Sequence, residues 1–215
     1  MTPLASKIEK ISTSGKKNMK VIRNIWCVAR NFREHAKELN NPVPTEPIFF
    51  LKAGSCASFP REPIRLPSFS QHIDYELEIA LQFDEDLQIR RGCLALDLTA
   101  RDLQQKSKEK GHPWTLAKSF PGACPLGPFF PLPSLDAPLA FELHVNGAVK
   151  QKGDVFSMIF SFKDLVSFCL SRFPVCPGDL LLTGTPSGVT QARPGDEVRA
   201  LIPHLSEALW NVIKS

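Results

Sequence analysis

Residues 75–83 read Tyr75-Glu76-Leu77-Glu78-Ile79-Ala80-Leu81-Gln82-Phe83. Tyr75, Leu77, Ile79, Leu81 and Phe83 fall on one side of a period-two alternation, and Glu76, Glu78, Ala80 and Gln82 on the other. That pattern predicts a strand with one face firmly in a core. It also sets two carboxylates on the same face, about 7 Å apart along the backbone. Two readings stay open for the pair: a wet outer face that tolerates their repulsion, or a cation between them.

The segments around this strand have the same short grain. Upstream, Ile25–Ala29 reads as a strand, Phe32–Leu39 as a short helix stopped before Pro42, and Ile48–Lys52 as another strand. Downstream, Cys93–Leu98 reads as a strand running into a helix at Thr99, with Thr99 and Asp102 as a capping box and Gly111 at the end. Asn146-Gly147 between Phe141–Val145 and Ala148–Lys152 predicts a tight hairpin. Ser161 and Asp164 cap a second helix, whose Phe162, Leu165, Val166, Cys169, Leu170 and Phe173 form an apolar stripe. Pro-Gly-Asp turns at 177–179 and 194–196 each launch a strand. Nineteen prolines and twelve glycines punctuate the chain, and no βαβ alternation appears. The prediction is a β-rich α+β fold with a few short helices.

Composition narrows the function classes. A hydrophobic share of 43% with 22% charged residues over 215 residues predicts one globular domain and excludes wholesale disorder. The longest apolar run, Ile25–Ala29, falls far short of the roughly 20 residues of a membrane span. The net charge of +4 is matched by residues 1–20, where Lys7, Lys10, Lys16, Lys17 and Lys20 face Glu9 alone. The rest is formally neutral, so no basic stripe argues for nucleic acid. Residues 1–20 read as a disordered basic tail and residues 21–215 as the single domain. The six cysteines form no CxxC pair and read as small buried hydrophobes in a reducing compartment, cytoplasmic or, in a eukaryote, the mitochondrial matrix.

Three further groups carry chemistry. Asp97 lies among Leu94, Leu96 and Leu98 where a strand ends, so it is either a helix-start residue or a third carboxylate of an all-oxygen cation site. His35 and Glu38 share a helix face at i, i+3, as an exposed pair or as an imidazole base oriented by a carboxylate. Thr183-Gly184-Thr185-Pro186-Ser187-Gly188 is either a plain turn or a loop whose N–H groups and hydroxyls meet an anionic ligand.

Six motifs occur in order: Asn31-Phe32 with His35-Ala36-Lys37-Glu38-Leu39; Pro47-Ile48-Phe49-Phe50-Leu51-Lys52; Tyr75-Glu76-Leu77-Glu78; Leu96-Asp97-Leu98-Thr99-Ala100-Arg101-Asp102; Pro113-Trp114 with Ala117-Lys118-Ser119-Phe120; and Leu182-Thr183-Gly184-Thr185-Pro186. Together they resemble the fumarylacetoacetate hydrolase family, in its short single-domain branch of acylpyruvate hydrolases and oxaloacetate decarboxylases. The resemblance implies a mixed β-roll of the C-terminal-domain type, a homodimer, and an Mg²⁺ or Mn²⁺ ion on Glu76, Glu78 and Asp97. It implies His35 and Glu38 as a water-activating dyad and Lys118 as a catalytic cation. Lys52, Arg101, Gln104 and Thr185 would line the pocket of a small 2-oxo acid. The implied reaction is hydrolysis of the carbon–carbon bond of an acylpyruvate through a metal-bound pyruvate enolate. Oxaloacetate decarboxylation or tautomerisation on the same site is the nearest alternative, and a catalytically silent ligand-binding relative is the alternative of another class.

Three positions depart from the family pattern. Ala29 stands where relatives usually have glycine, the chain is about ten residues short between Phe83 and Gly92, and His204-Leu205-Ser206 replaces a glycine-containing strand segment. The short stretch lies between Glu78 and Asp97, where it either disturbs the ligand placement or trims an outer loop. Because residues 1–18 lack an apolar pattern, a chain beginning at Met19 is expected to keep its solubility and turnover. Loss of either on truncation would make the tail a structural arm.

Overall fold

Proline and glycine divide the chain into fifteen strands and four short α-helices among the described residues, which are 21–38 and 42–214 of a computed structural model, with backbone alone at residues 35–37. The basic segment 1–20 lies outside them. The strands are β1 (Asn24–Ala29), β2 (Ile48–Ala53), β3 (Ala57–Ser58), β4 (Ile64–Leu66), β5 (Ile73–Tyr75), β6 (Leu77–Phe83), β7 (Ile89–Leu96), β8 (Thr99–Ala100), β9 (Cys124–Pro131), β10 (Ala140–Val145), β11 (Ala148–Asp154), β12 (Leu180–Leu182), β13 (Thr190–Gln191), β14 (Glu197–Ile202) and β15 (Ser206–Lys214). The helices are α1 (Arg33–Glu38), α2 (Arg101–Lys110), α3 (Thr115–Lys118) and α4 (Phe162–Arg172).

Seven strands form one sheet in the order β2-β1-β12-β6-β7-β9-β3, five form another, β11-β10-β14-β15-β4, and three short ones a third, β13-β5-β8. The β1/β12, β15/β4 and β3/β9 pairs are parallel, and the others are antiparallel. This is the expected β-rich α+β architecture, a mixed β-roll. None of the described helices is long and apolar enough to cross a membrane.

The alternation over 75–83 sorts side chains as predicted, but it does not separate core from water. Leu77, Ile79, Leu81 and Phe83 share a core with Phe141, Leu143, Val198 and Trp210 of the five-stranded sheet. The opposite face is also dry. Ala80 packs there with Cys27, Cys93, Cys124, Leu180 and Leu182, and every residue from Tyr75 to Phe83 is buried. The solvated-face reading of Glu76 and Glu78 is therefore corrected. The cysteines are free thiols, five of them buried, and three supply the small volumes this inner face requires.

Several local expectations hold. Asn146 (φ 51°) and Gly147 (φ 77°) make the two-residue turn between β10 and β11. Ser161 and Asp164 close a capping box on α4. The Thr99–Asp102 capping box does not form: Thr99 sits in β8 and gives its hydroxyl to Glu76, while Asp102 accepts from Ser70 and Gln71. The β6–β7 connection is a tight turn in which Asp84 Oδ1 accepts from the N–H groups of Asp86 and Gln88. The antiparallel register runs from Leu77↔Leu96 to Phe83↔Ile89, and Glu78 pairs with Ala95 near the far end. The connection is thus a short outer turn, and it lies at the opposite end of the β6–β7 pair from Glu78 and Asp97. His204 (φ 62°) lies in the turn between β14 and β15 rather than in a strand.

The two Pro-Gly-Asp turns use one device twice. Gly178 and Gly195 take left-handed φ values of 95° and 92°. In each, the aspartate accepts the N–H of the residue three positions earlier, Cys176 for Asp179 and Arg193 for Asp196. Asp179 also accepts from Asn24 N, Asn24 Nδ2 and Trp26 Nε1, which pins β1 beside β12. Asp196 accepts from the Tyr75 hydroxyl and Asn146 Nδ2, which ties the five-stranded sheet to β5. Asp179→Ala would strand the buried indole N–H and its neighbours, at about 1–3 kcal/mol for each unsatisfied group. Chemical denaturation should show a loss of roughly 3 kcal/mol or more for Asp179→Ala and a smaller one for Asp179→Asn. An unchanged midpoint for Asp179→Ala would remove Asp179 as the anchor of the β1–β12 pair.

Candidate active site

The acidic floor of the site is built from backbone geometry first. Glu76 stands between β5 and β6, Glu78 lies on β6, and Asp97 follows the last residue of β7. The Asp97 N–H donates to the Glu76 carbonyl at 2.8 Å, which holds the two residues side by side. All three carboxylates are buried, at 5%, 2% and 1% exposure. One step upstream on the same alternation, Asp74 adds a fourth at 6%.

Cations answer them from three directions. Lys118, at the end of α3, donates to Glu76 Oε2 and Asp97 Oδ2, both at 2.6 Å. Burial alone would lower its pKa, but the charges of Asp97 and Glu76 outweigh that and hold it above the ordinary lysine range. Arg101, the first residue of α2, reaches Glu76 Oε1 at 2.6 Å, Asp74 Oδ2 at 2.7 Å and Gln104 Oε1 at 2.7 Å. Lys52 was expected in the pocket lining. It lies instead behind Asp97, fully buried, with its ammonium 2.8 Å from Asp97 Oδ1. It donates to the carbonyls of Leu98, Lys118 and Ala123. Its place makes it a support for Asp97 and α3.

Glu78 is held differently. Its Oε2 accepts from the Gly184 N–H at 2.6 Å, and Gly184 has a φ of 97°. A Cβ on Gly184 would stand 2.6 Å from that of Asn31, so only glycine admits this approach. Burial, and then the charge of Asp97, push the Glu78 carboxyl well above the usual carboxylate range, against the pull of the Gly184 N–H and Lys118. Gln104 and Thr185 join Arg101, Lys118 and the acidic floor around one cleft walled by Phe50 and Trp114. Gln151, which no sequence signal marks, is almost wholly buried. It donates to Thr185 Oγ1 and the Pro186 carbonyl and accepts from Leu77 N. That arrangement leaves the Thr185 hydroxyl hydrogen aimed elsewhere. Asp74 did carry a signal, because the E-x-E alternation extends back to it.

The helix carrying the proposed dyad forms at Arg33–Glu38, with residues 39–41 outside the described ones. The ring of His35 is also outside them. Glu38 is exposed, and its two oxygens stand 3.3 and 3.4 Å from the Gly188 N–H, so α1 touches the loop that holds Glu78. Asn31 fastens the start of the same helix. Its Nδ2 donates to the carbonyls of Thr183 and Phe160, and its Oδ1 accepts from Phe160 N.

The donor chemistry suits a hard divalent cation: three carboxylates, all oxygen, in a dry setting. Asp97 turns Oδ1 to Lys52 at 2.8 Å and Oδ2 to Lys118 on the cleft side at 2.6 Å. Glu78 carries like-charge repulsion that a cation would relieve. Among the described residues no group of three such side chains is gathered tightly enough to grip an ion as it stands. The Lys118 ammonium occupies the space between Glu76 and Asp97 and would have to give ground. The raised Glu78 pKa has a measurable sign. A carboxyl with a folded pKa above its unfolded value stabilises the fold at low pH and loses that contribution as pH rises through the raised value. In chelator, the melting temperature of the wild type should fall over that interval, and Glu78→Gln should flatten the fall. Identical pH profiles for the two proteins would contradict the burial of a strained carboxylate at Glu78.

Residues 24–212 match the family model described as fumarylacetoacetate (FAA) hydrolase, C-terminal. The chain is 36% identical over 204 residues to the mitochondrial oxaloacetate tautomerase FAHD1 of Homo sapiens, covering 89% of this chain and 92% of that one. Its fold superposes on fumarylpyruvate hydrolase from Pseudomonas aeruginosa, solved with Mn²⁺ and pyruvate, with a TM-score of 0.83 and 29% identity over 90% of this chain and 91% of that one. A fumarylacetoacetate isomerase/hydrolase-type structure from Oleispira antarctica gives a TM-score of 0.82 at 38% identity, over 89% and 94% of the two chains. With the family model spanning nearly the whole described region, the chain belongs to the fumarylacetoacetate hydrolase family.

Proposed function

We propose that this protein is an Mg²⁺- or Mn²⁺-dependent enzyme of small 2-oxo acids whose reactions share a pyruvate-type enolate. Its reactions on this reading are keto–enol interconversion of oxaloacetate and hydrolysis of acylpyruvates. The observation that carries the reading is Lys118: a buried ammonium that lines the polar cleft 2.6 Å from the carboxylates of both Glu76 and Asp97. A cation in that setting is suited to an anion that develops during a reaction, because its field is strong and already oriented. The relatives named as an oxaloacetate tautomerase and a fumarylpyruvate hydrolase support the same substrate class.

Glu76, Glu78 and Asp97 would hold the ion, which supplies Lewis-acid polarisation of the 2-oxo group. Thr185, its oxygen engaged by Gln151, can donate its hydroxyl hydrogen to the substrate carboxylate. Arg101 keeps Glu76 turned toward the cleft, and Phe50 and Trp114 exclude water from one side. For tautomerisation, His35 on α1 takes a proton from the carbon beside the 2-oxo group, Lys118 stabilises the enolate oxygen, and a proton returns to that oxygen. For hydrolysis, His35 takes the proton from a water whose oxygen bonds to the 4-carbonyl carbon. The carbon–carbon bond then breaks to give a carboxylic acid and a pyruvate enolate, which is protonated on carbon. Glu38 orients the imidazole in both reactions. The family homodimer belongs to this reading and is checked by light scattering.

Chelation should abolish both activities, and added Mg²⁺ or Mn²⁺ should restore them. Full activity after rigorous metal removal would sink the ion. His35→Ala should depress hydrolysis of acetylpyruvate by about 10²- to 10⁴-fold, the usual range of a lost general base. Lys118→Ala should lower both activities by roughly 10²-fold or more, as expected for a lost electrostatic stabiliser. Metal affinity and melting temperature are measured for each variant. A Lys118→Ala enzyme that stays folded, binds metal and keeps wild-type rates would end the enolate assignment.

A further inference from the structure

The mouth of the cleft holds two cations that the mechanism above does not use. Four basic residues line it: Arg30, Arg101, Lys108 and Lys118. Arg101 is neutralised by Asp74 and Glu76, and Lys118 by Glu76 and Asp97. Among the described residues, Arg30 and Lys108 have no carboxylate within ion-pair distance. The Lys108 pKa is lowered by partial burial first, then by the charge of Arg101 and that of Arg30. Lys108 is placed by Trp114, with its ammonium 5.8 Å from the ring centroid.

Arg30 is held in an unusual backbone state. It follows β1 directly and has a φ of 59°, a left-handed conformation that costs a non-glycine residue free energy. Asn31 beside it is locked by three hydrogen bonds, so the strain is imposed by well-ordered surroundings. The result is two unneutralised cations from separate elements, facing one cleft whose floor already provides for one end of a small 2-oxo acid.

We infer that Arg30 and Lys108 form a seat for a second substrate carboxylate, so that the cleft selects dicarboxylic 2-oxo acids over monocarboxylic ones of equal length. The inference rests on the 2-oxo acid reading of the floor and adds the residues that read the far end. A carboxylate there would accept charge-assisted hydrogen bonds from both cations.

The test uses two acids inert to enolate chemistry, malate and 2-hydroxybutyrate, which differ only by a carboxylate in place of a methyl group. Their binding to the Mg²⁺-loaded protein is measured by calorimetry. The wild type should bind malate about tenfold or more tightly than 2-hydroxybutyrate, the scale of one charge-assisted contact. Arg30→Gln combined with Lys108→Gln should bring the ratio to within about threefold, through malate alone. Melting temperatures confirm that the variant is folded. A ratio that survives in the variant, an equal weakening of both acids, or a wild type that does not discriminate would each overturn the seat. Failure of the wild type to bind malate would overturn the seat as well, while the 2-oxo acid reading stands or falls separately on the rates with oxaloacetate and acetylpyruvate.

Discussion

The structure depends on keeping four carboxylates dry. Asp74, Glu76, Glu78 and Asp97 share an interior with Lys52, Arg101 and Lys118, so acids outnumber bases there by one. Each ion taken out of water costs several kcal/mol unless its lone pairs and hydrogens are met. The surroundings are arranged to meet them. Thr99 gives up the cap expected of it to serve Glu76, the Gly184 N–H serves Glu78, and three main-chain carbonyls surround the Lys52 ammonium. The positions of α2 and α3 follow from the same demand, because Arg101 opens one and Lys118 closes the other. What is left over appears in the raised pKa of Glu78.

Much of this was legible in the sequence, for a physical reason. Period-two alternation, an Asn-Gly turn and a Ser/Asp capping box are local instructions, and residues 75–83, 146–147 and 161–164 obey them. The solvated-face reading of Glu76 and Glu78 failed because alternation reports two different faces, not which of them meets water. Here the second face is lined by alanine, cysteine and leucine from β1, β7, β9 and β12, which are remote in sequence. The Thr99–Asp102 box failed because a buried carboxylate outbid a helix terminus for the hydroxyl. Lys52 moved from the pocket to its underside because two lysines face one aspartate, and the spacing of the motifs does not say from which side each arrives. Gln151 was invisible: nothing in a polar run after a hairpin turn marks one residue as buried.

Asn31 shows how few contacts carry the geometry of the cleft. One amide side chain joins the end of β1, the loop after β12 and the segment before α4. The left-handed Arg30 precedes it and the helix bearing His35 follows. The groups assigned to acid–base chemistry and to the far end of the substrate therefore hang from the same fastening. Gly184 packs directly against it, which excludes any larger residue.

The pairing of β1 with β12 also dictates when the protein can fold during its synthesis. Trp26 and Leu181 are register partners 155 positions apart, so the apolar run Ile25–Ala29 leaves the ribosome long before its parallel neighbour exists. At roughly 5–20 residues per second, that delay is on the order of 10 to 30 s. Through that time an Ile-Trp-Cys-Val-Ala segment has only β2 to pair with, and the acidic residues lack the loop that shields them. The β1–β12 pairing is thus among the last contacts that synthesis can complete, and the sheet closes only when the C-terminal quarter of the chain is available.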